Sequence, residues 1–293
     1  MTEIILSTPE YLNAPFARME HNTLQSIFNK ITSRKHVQVY CHALWSQPVD
    51  SLEWLVAESK KMGVSLTLCL NSSDTLENIH ALVTQDVALE VSLQPDANLS
   101  LLSELADFKK VSFFLPLSGP DPHPATLSAA LQLYPNPVKI RLGVSWSHRL
   151  SGPAPIAEQQ HQLWAESLIP LIDEIAARSL KIEFACGFKL CLFNRLQLGG
   201  LVTKNITWPI STCPKPFLFY PDGKLEPCFR LHLPEAMNIL NVEKLSEIVT
   251  KIDGWLSPYS GLCYHSETFD CRSLRVKSCS TGCLEHSLGE WSS

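Results

Sequence analysis

The sequence predicts an α/β fold: a partial (β/α)6 barrel of TIM type over residues 1–185, followed by a small cysteine-rich domain over residues 186–293. Three observations lead there. Short β-rich runs alternate with stretches of helical periodicity at near-uniform spacing through the first part. No glycine-rich phosphate loop follows the first strand, as a doubly wound nucleotide-binding sheet would require. Eight of the ten cysteines lie beyond residue 185.

Taken in order, the candidate strands are Ile4 to Ser7, Val37 to Cys41, Val64 to Leu70, Ala88 to Leu93, Val111 to Leu115, Val138 to Val144 and Leu180 to Phe184. Between the first pair, Leu24, Ile27, Phe28 and Ile31 recur at helical spacing, and between the second pair Leu52, Leu55, Val56 and Met62 do the same. Further helices are expected at Asp74 to Thr84, Asn98 to Ala106, Pro124 to Tyr134 and Pro155 to Ala177. Asp74, with Glu77 three residues on, has the pattern of a capping box, and Ser51 and Asn98 are candidate N-caps. Strand and helix repeated about six times imply parallel strands joined by right-handed crossovers, and about six repeats fall short of the eight that close a barrel. From about residue 186 the pattern changes to short segments, cysteines and turn signals such as Pro221-Asp222-Gly223.

Hydrophobic residues make up 45% of the chain and charged residues 18%. Such a chain buries a core, and disorder is excluded. Lys and Arg number 24 against 29 Asp and Glu, a net charge of -5 with no basic run, which argues against nucleic acid as the main partner. The first residues show no basic n-region or apolar h-region, and no stretch approaches the ~18 apolar residues of a membrane span, so the expectation is a cytoplasmic protein.

In that compartment ten Cys are expected as thiols. Cys186, Cys191, Cys213, Cys228, Cys263, Cys271, Cys279 and Cys283 are twice the four that one iron-sulfur cubane or one structural zinc takes, so both metals stay open at this point. Cys41 and Cys69, at the ends of candidate strands, read as small core hydrophobes.

Cys213 is followed after nine residues by Gly223 and after four more by Cys228. An aromatic strand, an Asp-Gly turn and a returning strand make this a hairpin. The pattern resembles the opening of the SPASM domain, the auxiliary iron-sulfur domain of many radical S-adenosylmethionine enzymes. Cys279-Ser-Thr-Gly-Cys283 resembles its closing Cys-x3-Cys, and Cys186-Gly-Phe-Lys-Leu-Cys191 resembles an upstream pattern in which one such Cys completes a first cluster. The resemblance implies one or two 4Fe-4S clusters. Cys191 or Cys186 with Cys213, Cys228 and Cys283 would hold the first, and Cys263, Cys271 and Cys279 most of a second. The central spacing departs from the family pattern, and His265, His286, Asp270 or Cys186 are the candidates for a missing ligand.

The family also carries a Cys-x3-Cys-x2-Cys loop after the first strand, which holds the cluster that binds S-adenosylmethionine. Here the matching segment, Thr8-Pro-Glu-Tyr-Leu-Asn-Ala-Pro-Phe-Ala-Arg-Met19, has no cysteine. Where the family usually has Gly-Gly-Glu after the second strand, this chain reads Tyr40-Cys-His-Ala-Leu-Trp45. Two losses at one site imply a degenerate member that neither binds nor cleaves S-adenosylmethionine.

Ligands of parallel β/α folds bind at the carboxyl ends of the strands, where His42, Trp45, Asn71, Ser92, Trp146 and His148 are expected. No hydrolytic triad is recognisable. The function expected from the resemblance is a cluster-binding partner or electron-transfer protein in peptide or small-metabolite modification, with a partner enzyme, peptide or small molecule at the barrel mouth. Two rivals stay open: an enzyme whose barrel mouth does other chemistry with a cluster as redox or Lewis-acid centre, and a zinc-stabilised adaptor.

Overall fold

The computed structural model describes residues 2–6, 21–31, 37–41, 49–71, 87–93, 99–117, 124–144, 158–184, 193–204, 206–207, 217–220, 222–226, 237–242 and 244–256. In chain order these form β1 (Thr2–Leu6), α1 (His21–Ile31), β2 (Val37–Cys41), α2 (Val49–Met62), β3 (Ser65–Asn71), β4 (Ala88–Ser92), α3 (Ser100–Glu104) and β5 (Val111–Leu117). They continue with α4 (Pro124–Leu133), β6 (Ile140–Val144), α5 (Glu158–Ala177), β7 (Ile182–Phe184), α6 (Arg195–Val202) and β8 (Ile206–Thr207). Last come β9 (Phe217–Phe219), β10 (Lys224–Glu226), β11 (Met237–Asn238), a 3-10 turn (Ile239–Asn241) and α7 (Leu245–Leu256).

Contacts divide the chain into two compact units, the first made of Met1–Val91, Asn98–Val111 and Pro214–Pro258. Its strands lie in the order β11-β10-β9-β1-β2-β3-β4. β1 pairs parallel with β2, β2 parallel with β3, and β1 on its other side parallel with β9. β9, β10 and β11 then form an antiparallel meander. The periodicity of α1 fits this arrangement: Leu24, Ile27 and Phe28 are all buried, each side chain adding roughly 1.5 to 3 kcal/mol of apolar burial. The Phe28 ring also meets Trp54 of α2 edge-on, with centroids 5.8 Å apart. α2 buries Leu52, Leu55 and Val56 and ends at Gly63, whose φ of 65° closes a left-handed cap.

The second unit comprises Ser92–Ala97, Ser112–Cys213 and Tyr259–Ser293. Its described strands run β5-β6-β7-β8, every neighbouring pair parallel. α4 buries Leu127, Ala130 and Leu131, and α5 buries Ala165, Leu168, Leu171, Ile172 and Ile175. α6 opens with a capping box in which the Asn194 side chain accepts from the Gln197 amide and the Gln197 side chain accepts from the Asn194 amide.

Several expected boundaries move, each for a physical reason. α2 begins at Val49, so Ser51 stands inside its first turn instead of capping it. The N-cap of α3 is Leu99, not Asn98, and it makes no side-chain cap bond. β6 begins at Ile140 rather than Val138, because the sheet bonding starts with the Phe113 amide donating to the Lys139 carbonyl, and Val138, between Pro137 and that point, is exposed. Leu180 is bound into the exit of α5, its amide donating to the Ile175 carbonyl, so β7 starts at Ile182. The expected helix at Asp74 to Thr84 and the expected boundary near residue 186 lie outside the described residues.

Candidate functional site

The β9–β10 hairpin is the described part of the segment between Cys213 and Cys228. Phe219 faces Leu225 and Leu218 faces Glu226 in antiparallel register. The reversal is tight: the Tyr220 amide donates to the Lys224 carbonyl at 2.9 Å, and the Gly223 amide to the Tyr220 carbonyl at 2.9 Å. Asp222 Oδ1 accepts from the Lys224 amide at 2.9 Å, an Asx turn of the kind the sequence signals. Gly223 has φ 80°, and a Cβ there would stand 2.8 Å from Asn238 Oδ1 and 3.1 Å from Leu240 Cγ. Asn238 cannot yield freely, since its Nδ2 donates to the Asp222 carbonyl and its Oδ1 accepts from the Leu240 amide. Hairpin turn, β11 and 3-10 turn are thus one knot, completed by the Ile239 amide donating to the Gly223 carbonyl at 2.8 Å.

The register on β1 sets the direction of this hairpin. Phe217 stands beside Ile4 and Phe219 beside Leu6, so the closed turn lies beyond the carboxyl end of β1 and the open end beside its amino half. Cys213 precedes Phe217 by four residues and Cys228 follows Glu226 by two. Those two thiols, together with Cys186, Cys191, Cys263, Cys271, Cys279 and Cys283, lie outside the described residues, as do His265, His286 and Asp270. Among the described residues no group of three or more His, Cys, Asp or Glu is arranged to hold a metal ion.

Of the remaining expected residues, Ser92 is the last residue of β4, half-buried at its carboxyl end, and Asn71 ends β3. His42, Trp45, Trp146 and His148 lie outside the described residues. Cys69 is a buried thiol on β3, one position beyond the pair that Cys41 of β2 makes with Leu68. Successive strand positions alternate faces, so Cys69 is on the face opposite Leu68. This is the core environment expected of it.

A set of polar residues escaped the sequence reading. On β5, β6 and β7, the paired positions Phe113, Ile140 and Ile182, then Leu115, Leu142 and Phe184, share one face. That face meets the helical side, as the Phe113–Tyr134 and Phe184–Phe193 ring contacts show, with centroids 6.0 and 6.2 Å apart. The opposite face, the interior of a barrel, carries Ser112, Phe114, Arg141 and Glu183. Glu183 receives Lys139 Nζ at 2.7 Å on Oε2 and faces Arg141 Nε at 3.0 Å from Oε1. Burial acts to raise the Glu183 pKa, but the Arg141 and Lys139 charges, the Lys139 hydrogen bond and Lys181 outweigh it and hold the carboxyl below its ordinary value. In the first unit, the buried Thr67 and Cys69 of β3 likewise share a face that excludes Leu66, Leu68 and Leu70. On β4 the buried Glu90 alternates with Leu89 and Val91. A single polar residue between apolar neighbours, as in Ile140-Arg141-Leu142 and Ile182-Glu183-Phe184, was the available signal.

No protein-family model matches this chain, and no curated protein does. Solved structures do. Native anSMEcpe with bound AdoMet superposes with a TM-score of 0.65 at 11% identity, over 100% of this chain and 95% of that one. The same protein with AdoMet and Cp18Cys peptide gives 0.60 at 12% identity, covering 96% and 89%. SuiB of Streptococcus suis bound to precursor peptide SuiA gives 0.56 at 11% identity, covering 96% and 74%. At such identities the likeness is one of fold. The fold is the partial β/α barrel that the sequence predicts, the one found in radical S-adenosylmethionine enzymes.

Proposed function

We propose that this chain is an iron-sulfur cluster-binding protein on a radical S-adenosylmethionine-type scaffold that has lost cleavage of that cofactor. In this reading it serves as a partner or electron-transfer protein in the modification of a peptide or small metabolite. The observation that carries the reading is the hairpin between Cys213 and Cys228, formed as the resemblance requires, with Gly223 at a position that admits no other residue without disturbing Asn238. The donor chemistry agrees, since a set of thiolates is the ligand class of iron-sulfur clusters. Cys186 or Cys191 with Cys213, Cys228 and Cys283 is the proposed first ligand set, and Cys263, Cys271 and Cys279 the core of a second. When bound, such a cluster supplies one-electron transfer. A peptide as partner draws support from the anSMEcpe and SuiB structures, solved with the Cp18Cys and SuiA peptides.

The loss of S-adenosylmethionine cleavage rests on the sequence, which has no cysteine among residues 1–40. Action in the cytoplasm, away from nucleic acid, rests on composition and charge. No described helix is long and apolar enough to cross a membrane. Cys213→Ala and Cys228→Ala are each expected to lose about four irons per chain, by the cubane stoichiometry, while Cys69→Ala keeps the wild-type iron content. Reduced, loaded protein incubated with S-adenosylmethionine is expected to yield no 5'-deoxyadenosine above a protein-free control, and multiple turnovers of that product would refute this part of the reading.

The polar face of β6 and β7 favours a second reading, an enzyme binding its substrate inside the barrel beside Arg141 and Glu183. Spectroscopy of the iron separates the two: an iron open to exogenous ligand favours the enzyme, and full protein ligation favours electron transfer.

A further inference from the structure

Lys30 sits in the last turn of α1, where a lysine ordinarily serves the carbonyls of its own helix end. Here Nζ donates instead to the carbonyl of Ile239, 209 residues away in sequence. Ile239 is fully buried, and its amide is the one bound to the Gly223 carbonyl in the turn of the hairpin. The ammonium is thus half-buried against a carbonyl of the 3-10 turn, and burial lowers its pKa. Around that carbonyl, Asn238 ties the turn to Asp222 and Leu240. From this geometry we infer that Lys30 is a positioning residue, a clamp by which barrel helix α1 fixes the knot of hairpin turn, β11 and 3-10 turn. It thereby fixes the strand pair from whose open end the chain runs to Cys213 and Cys228. The inference deepens the cluster reading but concerns the protein alone, so it stands or falls whether or not those thiols take iron.

β9 is only three residues long and reaches β1 through a three-residue register, which leaves little to hold the hairpin from the sheet side alone. A charge-assisted donor to the knot supplies what the short ladder lacks. Lys30→Met keeps the length of the stem and removes the donors. Lys30→Arg keeps charge and donors. Amide hydrogen exchange of the full chain reads the result by segment. In Lys30→Met, amides of 218–226 and 237–241 should exchange on the order of tenfold faster or more, with β2 and β3 unchanged, and Lys30→Arg should restore protection to within about threefold of wild type. Unchanged protection of the hairpin in Lys30→Met overturns the clamp. So does an equal loss across β2 and β3 that Lys30→Arg fails to rescue, because Lys30 would then be an ordinary packing residue. Measuring iron in the same samples keeps the two proposals apart: a metal-free wild type with the expected exchange pattern refutes the cluster and supports the clamp.

Discussion

Glu183→Ala is expected to destabilise the protein by about 2 to 4 kcal/mol, in the range for breaking one member of a largely buried ion cluster. The carboxylate receives Lys139 at 2.7 Å and stands 3.0 Å from Arg141, and the side chains concerned are 19%, 18% and 9% exposed. Removing it takes from Lys139 and Arg141, two positions apart on one strand face, the anion they share. Glu183→Gln should cost less, since an amide oxygen still accepts from Lys139. The same site predicts a pH dependence. Its folded pKa is lowered from the ordinary 4.5, so its contribution is complete above that value and is lost as pH falls through the lowered one. Thermal unfolding followed by circular dichroism should show the gap between wild type and Glu183→Gln constant near neutrality and narrowing below about pH 4.5. A gap that persists undiminished well into acid would show that the charge contributes nothing.

Gly223→Ala should cost about 2 to 3 kcal/mol and act on the hairpin first. Holding an L-residue at φ 80° costs roughly 1 to 2 kcal/mol by itself. The new Cβ would also press on Asn238 Oδ1 at 2.8 Å, and Asn238 can retreat only by giving up its bond to the Leu240 amide or the Asp222 carbonyl. Each such bond is worth about 1 kcal/mol net. Under the cluster proposal, iron content should fall in Gly223→Ala as well, although no thiol has been touched. Gly63→Ala is the control: it shares the positive φ but has nothing within 4 Å of its would-be Cβ, so it should cost only the backbone part and leave iron unchanged.

The barrel strands were legible because each is a short apolar or β-branched run between turn residues, and β2 matches its expected bounds, Val37–Cys41, at both ends. The hairpin was legible from Asp222-Gly223, since few other residue pairs turn so tightly. α6 was missed because Gly199 and Gly200 in its middle lower its helix propensity, and the readable signal was the Asn194/Gln197 capping box. α7 was missed despite Leu245, Ile248, Ile252 and Leu256 at helical spacing, because the cysteines and turns around it drew the region toward an irregular reading. The docking of β9 on β1 had no local signal at all, as pairing between strands more than 200 residues apart leaves no periodicity to read. For the site, the thiols and their spacing are sequence facts. The polar barrel face became visible only when register set Arg141 opposite Glu183.

Anaerobic purification of the full chain, with iron, acid-labile sulfide and zinc measured on the same sample, tests the central claim. A brown protein with about four to eight irons and matching sulfide per chain is the expected result. Stoichiometric zinc without sulfide would contradict it and identify the thiols as a zinc-stabilised scaffold instead.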